Sequence, residues 1–190
     1  GLGKGQAIVE KEFNFIDSLI ATAPYTGKQE KEMVALGELL STQIFEAFLQ
    51  EEGVSSALLP ALDFMVIDED NEPVLSVIEQ KLAAVLAPVK GNQIFVTQGF
   101  ICRNPSGEVD NLKRGGSDYT ASLIAAALNA SVCEIWTDID GMHNNDPRVV
   151  DKTVAIEQLS FDEAAELAYF GAKILHPASI WPAKFYNVPV

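Results

Sequence analysis

The sequence predicts an α/β fold built on a mainly parallel sheet that helices cover. Strand-like and helix-like segments alternate along the 190 residues. Several strand candidates are apolar at nearly every position, which is typical of strands buried on both faces. Apolar residues make up 48% of the chain, enough for a substantial hydrophobic core. These observations together predict a single α/β domain.

Helices are predicted where apolar side chains recur at intervals of three and four residues. The longest helix, over 28–52, is amphipathic, whereas 117–129 is apolar on nearly every side and is expected in the interior. Pro88 ends the helix over 75–86, because proline cannot continue the helical hydrogen bonding. The predicted helices cover 28–52, 75–86, 117–129, 161–170 and 178–186.

Strands are predicted where β-branched and aromatic residues form short uninterrupted runs. The run QIFVTQ at 93–98 is one of these and is expected to be buried. The turn sequence NPSG at 104–107 lies between two extended arms, so residues 99–112 are expected to form a hairpin. The remaining strand candidates are 54–59, 132–137 and 187–190.

Composition disfavours several classes of partner. The net charge of −14 and the pI near 4.4 argue against nucleic acids and anionic membranes. No stretch reaches the ~20 apolar residues of a membrane span, and the first residues do not show the basic-then-apolar pattern expected of a signal peptide. Cys102 and Cys133 could form a lone disulfide, but reduced thiols are the favoured interpretation and predict a cytoplasmic location.

Three segments lie where a parallel sheet binds ligands, next to strand ends and helix N-termini. In the first, KRGGSD at 113–118, two glycines allow a ligand to approach the backbone closely. Ser117 is expected to cap the following helix and Asp118 to complement its dipole. Arg114 could hold a carboxylate or phosphate through two parallel hydrogen bonds. An ordinary capped helix with a surface arginine explains the same pattern equally well.

The second segment, WTDIDG at 136–141, follows an apolar strand candidate. Thr137 and Asp138 fall where a nucleotide would lie, although a polar turn explains them as well. Asp138 and Asp140 alone make a poor metal site, since hard cations need more oxygen ligands. Residues 146–148 (DPR) are expected to form an Asx-type turn.

The third segment, FGAKILHP at 170–177, contains Lys173 as a lone cation that could reach a phosphate. His176 is interpreted as a packed residue rather than a general base. His143 has no cysteine or histidine at metal-ligand spacing, so no zinc site and no other metal-binding residue is predicted.

Glu38 is unusual on the long helix, because none of its neighbours three or four positions away is cationic. The adjacent Gly37 weakens the helix by about 1 kcal/mol. A carboxylate without a cation, on a face of small residues, would suit the cationic amino group of a ligand. A glutamate exposed to solvent is the alternative.

Four sequence blocks stand out along the chain: LGELLST (36–42), KRGGSDYTAS (113–122), WTDIDGMHNNDPR (136–148) and ELAYFGAKILHP (166–177). In this order and spacing they resemble the aspartate kinases of the amino acid kinase family. The resemblance covers essentially the whole chain and implies a three-layer α/β/α sandwich. It also implies transfer of the ATP γ-phosphoryl group, with Mg²⁺, to the β-carboxylate of L-aspartate, the first step toward lysine, threonine and methionine. It implies a homo-oligomer for the full-length protein.

On the substrate side, the resemblance implies roles for four residues. Glu38 would hold the α-amino group of aspartate, Arg114 its carboxylate, and Ser117 would contact the substrate directly. Asp118 would orient the glycine loop and is, with Lys173, a candidate catalytic residue.

On the nucleotide side, Thr137 and Asp138 would line the ATP site and Arg148 would lie near the phosphates. Lys173 would meet the phosphoryl group as it is transferred. The family often has tyrosine at the position of His143, so the resemblance leaves open whether that ring contacts the nucleotide.

The match to the family has two departures. Family members begin with a strand and a KFGGTS loop that supplies a phosphate-binding lysine, and no segment here matches that loop. No regulatory ACT module is recognised. Residues 1–190 are therefore interpreted as a partial catalytic domain, inactive or weak in isolation, from a monofunctional kinase or one joined to homoserine dehydrogenase. The alternative is a non-catalytic nucleotide-binding or assembly module on the same fold.

Overall fold

A computed structural model describes every residue except 1, 23, 114, 139, 147 and 170–179. The chain divides into two compact units, Gly1–Leu112 and Lys113–Val190. Within the described residues, every assigned strand belongs to the first unit. Across all the described residues of both units, no helix combines the length and apolar character that a membrane crossing requires.

The first unit begins with two long helices and continues with alternating strands and helices. Its helices are α1 (Leu2–Ile20), α2 (Gly27–Glu51), α3 (Ala61–Phe64) and α4 (Leu75–Leu86), and a short 3₁₀ turn follows at Ala87–Val89. Its strands are β1 (Ser56–Leu59), β2 (Ile94–Thr97), β3 (Ile101–Arg103) and β4 (Val109–Asn111). The helices predicted over 28–52 and 75–86, and the strands predicted over 54–59 and 93–98, are confirmed to within two residues at each end.

The first helix, α1, is absent from the sequence-based prediction because Gly3 and Gly5 lower helix propensity. In the structure α1 packs against α2. Leu19 and Glu12 are buried, and Gln43 Nε2 on α2 donates a hydrogen bond to Glu12 Oε1 at 3.2 Å. Tertiary packing therefore outweighs weak local propensity at this end of the first unit.

The parallel pair β1–β2 defines the edge at which the candidate site begins. Residues 56–59 lie opposite residues 94–97 in register. Both strands therefore end at the same edge of the sheet, and the chain continues from that edge at Pro60 and Gln98. This is the edge at which α/β proteins bind their ligands.

Strand β2 is less buried than the sequence predicted. The side chains of Ile94 and Phe95 are 43% and 38% exposed. The reason is that, among the described residues, β2 pairs with β1 alone, so its other edge is uncovered. The predicted hairpin is confirmed, since β3 and β4 pair antiparallel. The innermost apolar side chains of the unit are Phe64, Met65, Ile78, Leu82, Ile101 and Cys102.

The second unit contains α5 (Gly116–Ala127), α6 (Phe161–Tyr169) and α7 (Trp181–Phe185). The three predicted helices are confirmed, although residue 170 and residues 178–179 lie outside the described residues. Helix α5 has the expected interior position, with six of its twelve residues buried. A small core joins α5 to α7 through Ala125, Cys133, Ala183 and Val188.

The strands predicted at 132–137 and 187–190 are wrong. A single hydrogen bond, from the Cys133 N–H to the Pro189 carbonyl at 2.8 Å, connects the two segments. One bond does not form a ladder, and the side chains of Val132 and Trp136 are 48% and 87% exposed. The apolar run therefore lacks the burial on both faces from which a strand was inferred.

Candidate functional site

Helix α2 carries Glu38 to the carboxyl end of β2. The backbone N–H of Gly99, two residues beyond the end of the strand, donates a hydrogen bond to Glu38 Oε1 at 2.7 Å. Glu38 is only partly exposed, so the interpretation of a freely solvated glutamate is wrong. Among the described residues no cation forms an ion pair with Glu38. The carboxylate is thus held by the backbone, and its negative charge is available to a ligand.

Open space borders the same stretch of α2. Gly37 is exposed, and a methyl group placed on it would meet none of the described atoms outside its own helical turn within 4 Å. The structure therefore gives no packing reason for a glycine at this position, which leaves the predicted approach of a ligand as an expectation.

The glycine loop that starts α5 differs in one detail from the prediction. Gly115 precedes the helix with φ 71°, a left-handed conformation that a serine rarely adopts. Gly115 therefore occupies the capping position, and Ser117 is an exposed residue within the first turn. Ser117 as the N-cap is wrong for this reason. Asp118 lies in the first turn as predicted, and burial raises the pKa of its carboxyl group.

The second predicted loop pairs Arg148 with Asp146. The Arg148 guanidinium donates to both carboxylate oxygens of Asp146, at 3.0 and 2.9 Å. The Arg148 N–H also donates to Asp146 Oδ1 at 2.9 Å, which confirms the predicted Asx-type turn. Asp146 raises the pKa of Arg148, and the charge of Asp138 acts in the same direction. Thr137 Oγ1 donates to Asp138 Oδ1 at 3.2 Å on this exposed surface.

His143 has a structural role in this loop that the sequence analysis missed. The ring is buried, with Nε2 at 2.6 Å from Asp140 Oδ1 and Nδ1 at 2.8 Å from Thr153 Oγ1. The hydrogen bond with His143 lowers the pKa of Asp140. An acid and a histidine three positions apart were the available signal. Within the described residues no three His, Cys, Asp or Glu side chains are grouped closely enough to hold a metal ion.

Three residues of the predicted segments, Arg114, Lys173 and His176, lie outside the described residues. Glu38 belongs to the first unit, whereas Ser117, Asp118, Thr137, Asp138 and Arg148 belong to the second. The first unit thus contains an anchored carboxylate, and the second contains a helix that begins at a glycine and a polar loop.

The chain belongs to the amino acid kinase family, because the model of that family matches residues 5–190. The predicted α/β class and amino acid kinase fold are confirmed. Within that family the chain is similar to aspartokinases. Lysine-sensitive aspartokinase 3 of Escherichia coli is 41% identical over 84% of this chain. The bifunctional aspartokinase/homoserine dehydrogenase of Haemophilus influenzae is 35% identical over 97% of it.

Solved structures give the same result. The crystal structure of E. coli aspartokinase III in complex with aspartate and ADP matches 96% of this chain with a TM-score of 0.87 at 36% identity. Aspartate kinase of Clostridium acetobutylicum matches 82% with a TM-score of 0.69 at 31% identity. The chain spans 36% of the E. coli aspartokinase 3 sequence and 42% of the aspartokinase III chain in the crystal.

Proposed function

We propose that this chain is part of the catalytic domain of an aspartate kinase. The reaction would transfer the γ-phosphoryl group of ATP to the β-carboxylate of L-aspartate, giving 4-phospho-L-aspartate and ADP. The observation that carries the proposal is the carboxylate of Glu38, anchored by Gly99 at the carboxyl edge of the parallel strands. The similarity to an aspartokinase solved with aspartate and ADP supports the same assignment.

The chemistry requires charge neutralisation more than proton transfer. The attacking group is a carboxylate with an ordinary pKa near 3.9, so it is already ionised at neutral pH and needs no general base. One of its oxygens forms a bond to the γ-phosphorus while the bond to the bridging oxygen breaks, and that electron pair leaves on ADP. The protein's task is to hold two anions together, for which arginine, lysine and backbone N–H groups are suited.

On the substrate side, Glu38 would bind the α-ammonium group of aspartate. A carboxylate that already accepts one backbone N–H keeps a fixed orientation and still has acceptor capacity for a charged donor. Ser117, exposed in the first turn of α5, would contact the substrate beside the free N–H groups of that helix. Asp118 would orient the loop, and Arg114 would bind the substrate carboxylate.

On the nucleotide side, Thr137 and Asp138 would line the ATP site. Arg148 uses part of its guanidinium on Asp146, and its remaining N–H donors would bind phosphate. Lys173 would neutralise charge on the transferring group. Mg²⁺ would enter with the nucleotide, since this ion is usually held by substrate phosphates and one or two carboxylates.

Three further assignments belong to the proposal. The product would feed the synthesis of lysine, threonine and methionine. The protein would act in the cytoplasm, which fits the free thiols of Cys102 and Cys133. The complete protein would form a homo-oligomer, either as a monofunctional kinase or joined to homoserine dehydrogenase.

The test uses the natural protein that contains these residues, with ATP, Mg²⁺ and L-aspartate, and traps the acyl phosphate with hydroxylamine. Glu38→Gln keeps the side-chain size and removes the charge. We expect it to raise the KM for aspartate about 30-fold, as for the loss of a charge-assisted hydrogen bond, and to leave the KM for ATP within about twofold. Glu30→Gln, on the exposed surface of the same helix, is the matched control and should change neither constant.

Two outcomes would contradict the proposal. Nucleotide binding without any aspartate-dependent acyl phosphate in the wild-type protein would identify a non-catalytic module. Equal losses for aspartate and ATP in Glu38→Gln would show that Glu38 serves the fold and not the substrate.

A further inference from the structure

The amide of Gln98 is a deeply buried polar group directly beside the Glu38 anchor. Gln98 is the first residue after β2 and only 1% exposed. A buried amide is costly unless its polar atoms are hydrogen-bonded, and here both ends are used. Its Oε1 accepts the Ala61 N–H at 2.7 Å, and its Nε2 donates to Thr42 Oγ1 at 2.8 Å. Gln98 therefore joins the start of α3, just beyond β1, to the middle of α2.

The same network continues to Glu38 from two directions. The Thr42 hydroxyl, which accepts from Gln98, donates to the backbone carbonyl of Glu38 at 2.8 Å. The Gly99 N–H, which binds the Glu38 carboxylate, belongs to the peptide unit formed with the Gln98 carbonyl. A peptide unit is planar, so the Gly99 N–H points opposite to the Gln98 carbonyl. The anchored side chain of Gln98 holds the Cα atom from which this peptide unit starts and so limits how far the Gly99 N–H can move.

We infer that Gln98 is a positioning residue that sets the orientation of the Glu38 carboxylate toward an ammonium group of the substrate. The inference rests on the proposed function, because it assigns Gln98 to the selection of α-amino acids at the same site. Gln98 acts through Thr42 and Gly99 and does not contact the substrate itself. Its effect is therefore specific to the part of the substrate that Glu38 recognises.

The first experiment replaces Gln98 with methionine, which is similar in length and cannot form either hydrogen bond. In the complete natural protein, we expect Gln98→Met to raise the KM for L-aspartate about tenfold, and the KM for ATP to stay within about twofold. Succinate, which is aspartate without its amino group, supplies the discriminating readout. Its inhibition constant should be unchanged, because it has no ammonium group for Glu38 to bind.

A second pair of variants tests the same network at a residue that is only partly buried. Thr42→Val removes the hydroxyl, whereas Thr42→Ser keeps it, so we expect the aspartate KM to rise in the valine variant and to recover in the serine variant. Ser41→Ala is the matched control. Ser41 also donates to the Glu38 carbonyl, at 3.2 Å, but it is exposed and forms no bond to Gln98. Its removal should leave all constants within about twofold.

The double variant Glu38→Gln with Gln98→Met completes the test. If Gln98 acts through Glu38, the double variant has the same aspartate KM as Glu38→Gln alone. Additive increases of the aspartate KM in the double variant would overturn the inference. So would an unchanged aspartate KM in both Gln98→Met and Thr42→Val. In either case an active wild-type protein would still support the proposed function. An inactive wild-type protein would instead refute the proposed function itself. If Gln98→Met does not fold, the Thr42 pair decides the question.

Discussion

Two lysines on α2 form ion pairs with the β3–β4 hairpin, and they should differ sharply in their contribution to stability. Lys31 Nζ lies 2.5 Å from Asp110 Oδ2, and Lys28 Nζ lies 3.3 Å from Glu108 Oε1. The Asp110 side chain is 10% exposed, whereas that of Glu108 is 41% exposed. Removing Lys31 leaves a nearly buried carboxylate without its cation, but removing Lys28 leaves a solvated one.

The magnitudes follow from burial. Breaking a fully buried pair costs roughly 3–5 kcal/mol, and an exposed pair is worth roughly 0–1 kcal/mol. Lys31 is itself 43% exposed, so we expect Lys31→Met to destabilise the first unit by about 2 kcal/mol. We expect Lys28→Met, the matched control, to cost less than about 0.5 kcal/mol. Adding Asp110→Asn to Lys31→Met should recover part of the loss, since it removes the uncompensated charge.

Cys102 on β3 provides the assay. It is fully buried, and burial, with the charge of Asp110, raises the pKa of its thiol to about 12. The thiol is therefore inert in the folded unit and reacts with a thiol reagent only when the unit opens. In a Cys133→Ser background, a loss of about 2 kcal/mol should raise the labelling rate about 30-fold. Equal labelling rates for Lys31→Met and Lys28→Met would refute the reasoning from burial.

Two further predictions concern the second unit. The hydrogen bond with His143 lowers the pKa of Asp140. The stability that this contact gives to its loop is therefore complete above the ordinary carboxyl pKa of about 3.9. It is lost as the pH falls toward the lowered pKa. The Ile156 N–H donates a hydrogen bond to the carbonyl of Met142, the neighbour of His143, at 2.8 Å. Its exchange protection should therefore report this loss, and His143→Gln should weaken the pH dependence. Gly115→Ala places a methyl group on a residue with φ 71° and should lower the free energy of unfolding of the second unit by about 1 kcal/mol. Urea unfolding, followed by Trp181 fluorescence, measures this loss. Gly91→Ala, in open space of the first unit and outside the left-handed region, is the control, and the Cys102 labelling rate that reports on its own unit should stay nearly unchanged. Equal losses of unfolding free energy in the two variants would contradict the assigned cause.

Local patterns in the sequence predict much of the first unit. The spacing of apolar residues predicts the ends of α2 and α4 to within one residue, and the NPSG turn predicts the hairpin. Both signals depend only on residues that are near each other in the sequence. The same reasoning fails for 132–137, since an apolar run becomes a strand only when a partner forms a ladder with it. It fails for α1 because packing against α2 stabilises this helix although its glycines lower its helix propensity. Periodicity cannot reveal these tertiary effects.

For the same physical reason, the sequence predicts some residues of the candidate site and not others. Glu38 was identified from its lack of cationic neighbours, which is a property of the helix alone. Its actual partner, the Gly99 N–H, is 61 positions away along the chain and becomes visible only in the folded structure. The Gln98 network was missed entirely, because a glutamine at the end of a strand has no distinctive spacing. Ser117 was assigned the cap that Gly115 takes, since the sequence does not reveal backbone handedness.

The parallel register of β1 and β2 has a consequence for the order of folding. Leu59 pairs with Thr97, which is 38 positions later in the chain, so the pairing cannot form until the crossover containing α4 is closed. Parallel pairing across such a separation is slow compared with forming a helix, because the entropy of closing the loop must be lost before the pairing compensates for it. Helix α2 can therefore form early, while Glu38 gains its Gly99 partner only at the end. Substitutions that slow the docking of α4, such as those at the buried Ile78 and Leu82, should therefore delay the appearance of a binding-competent carboxylate.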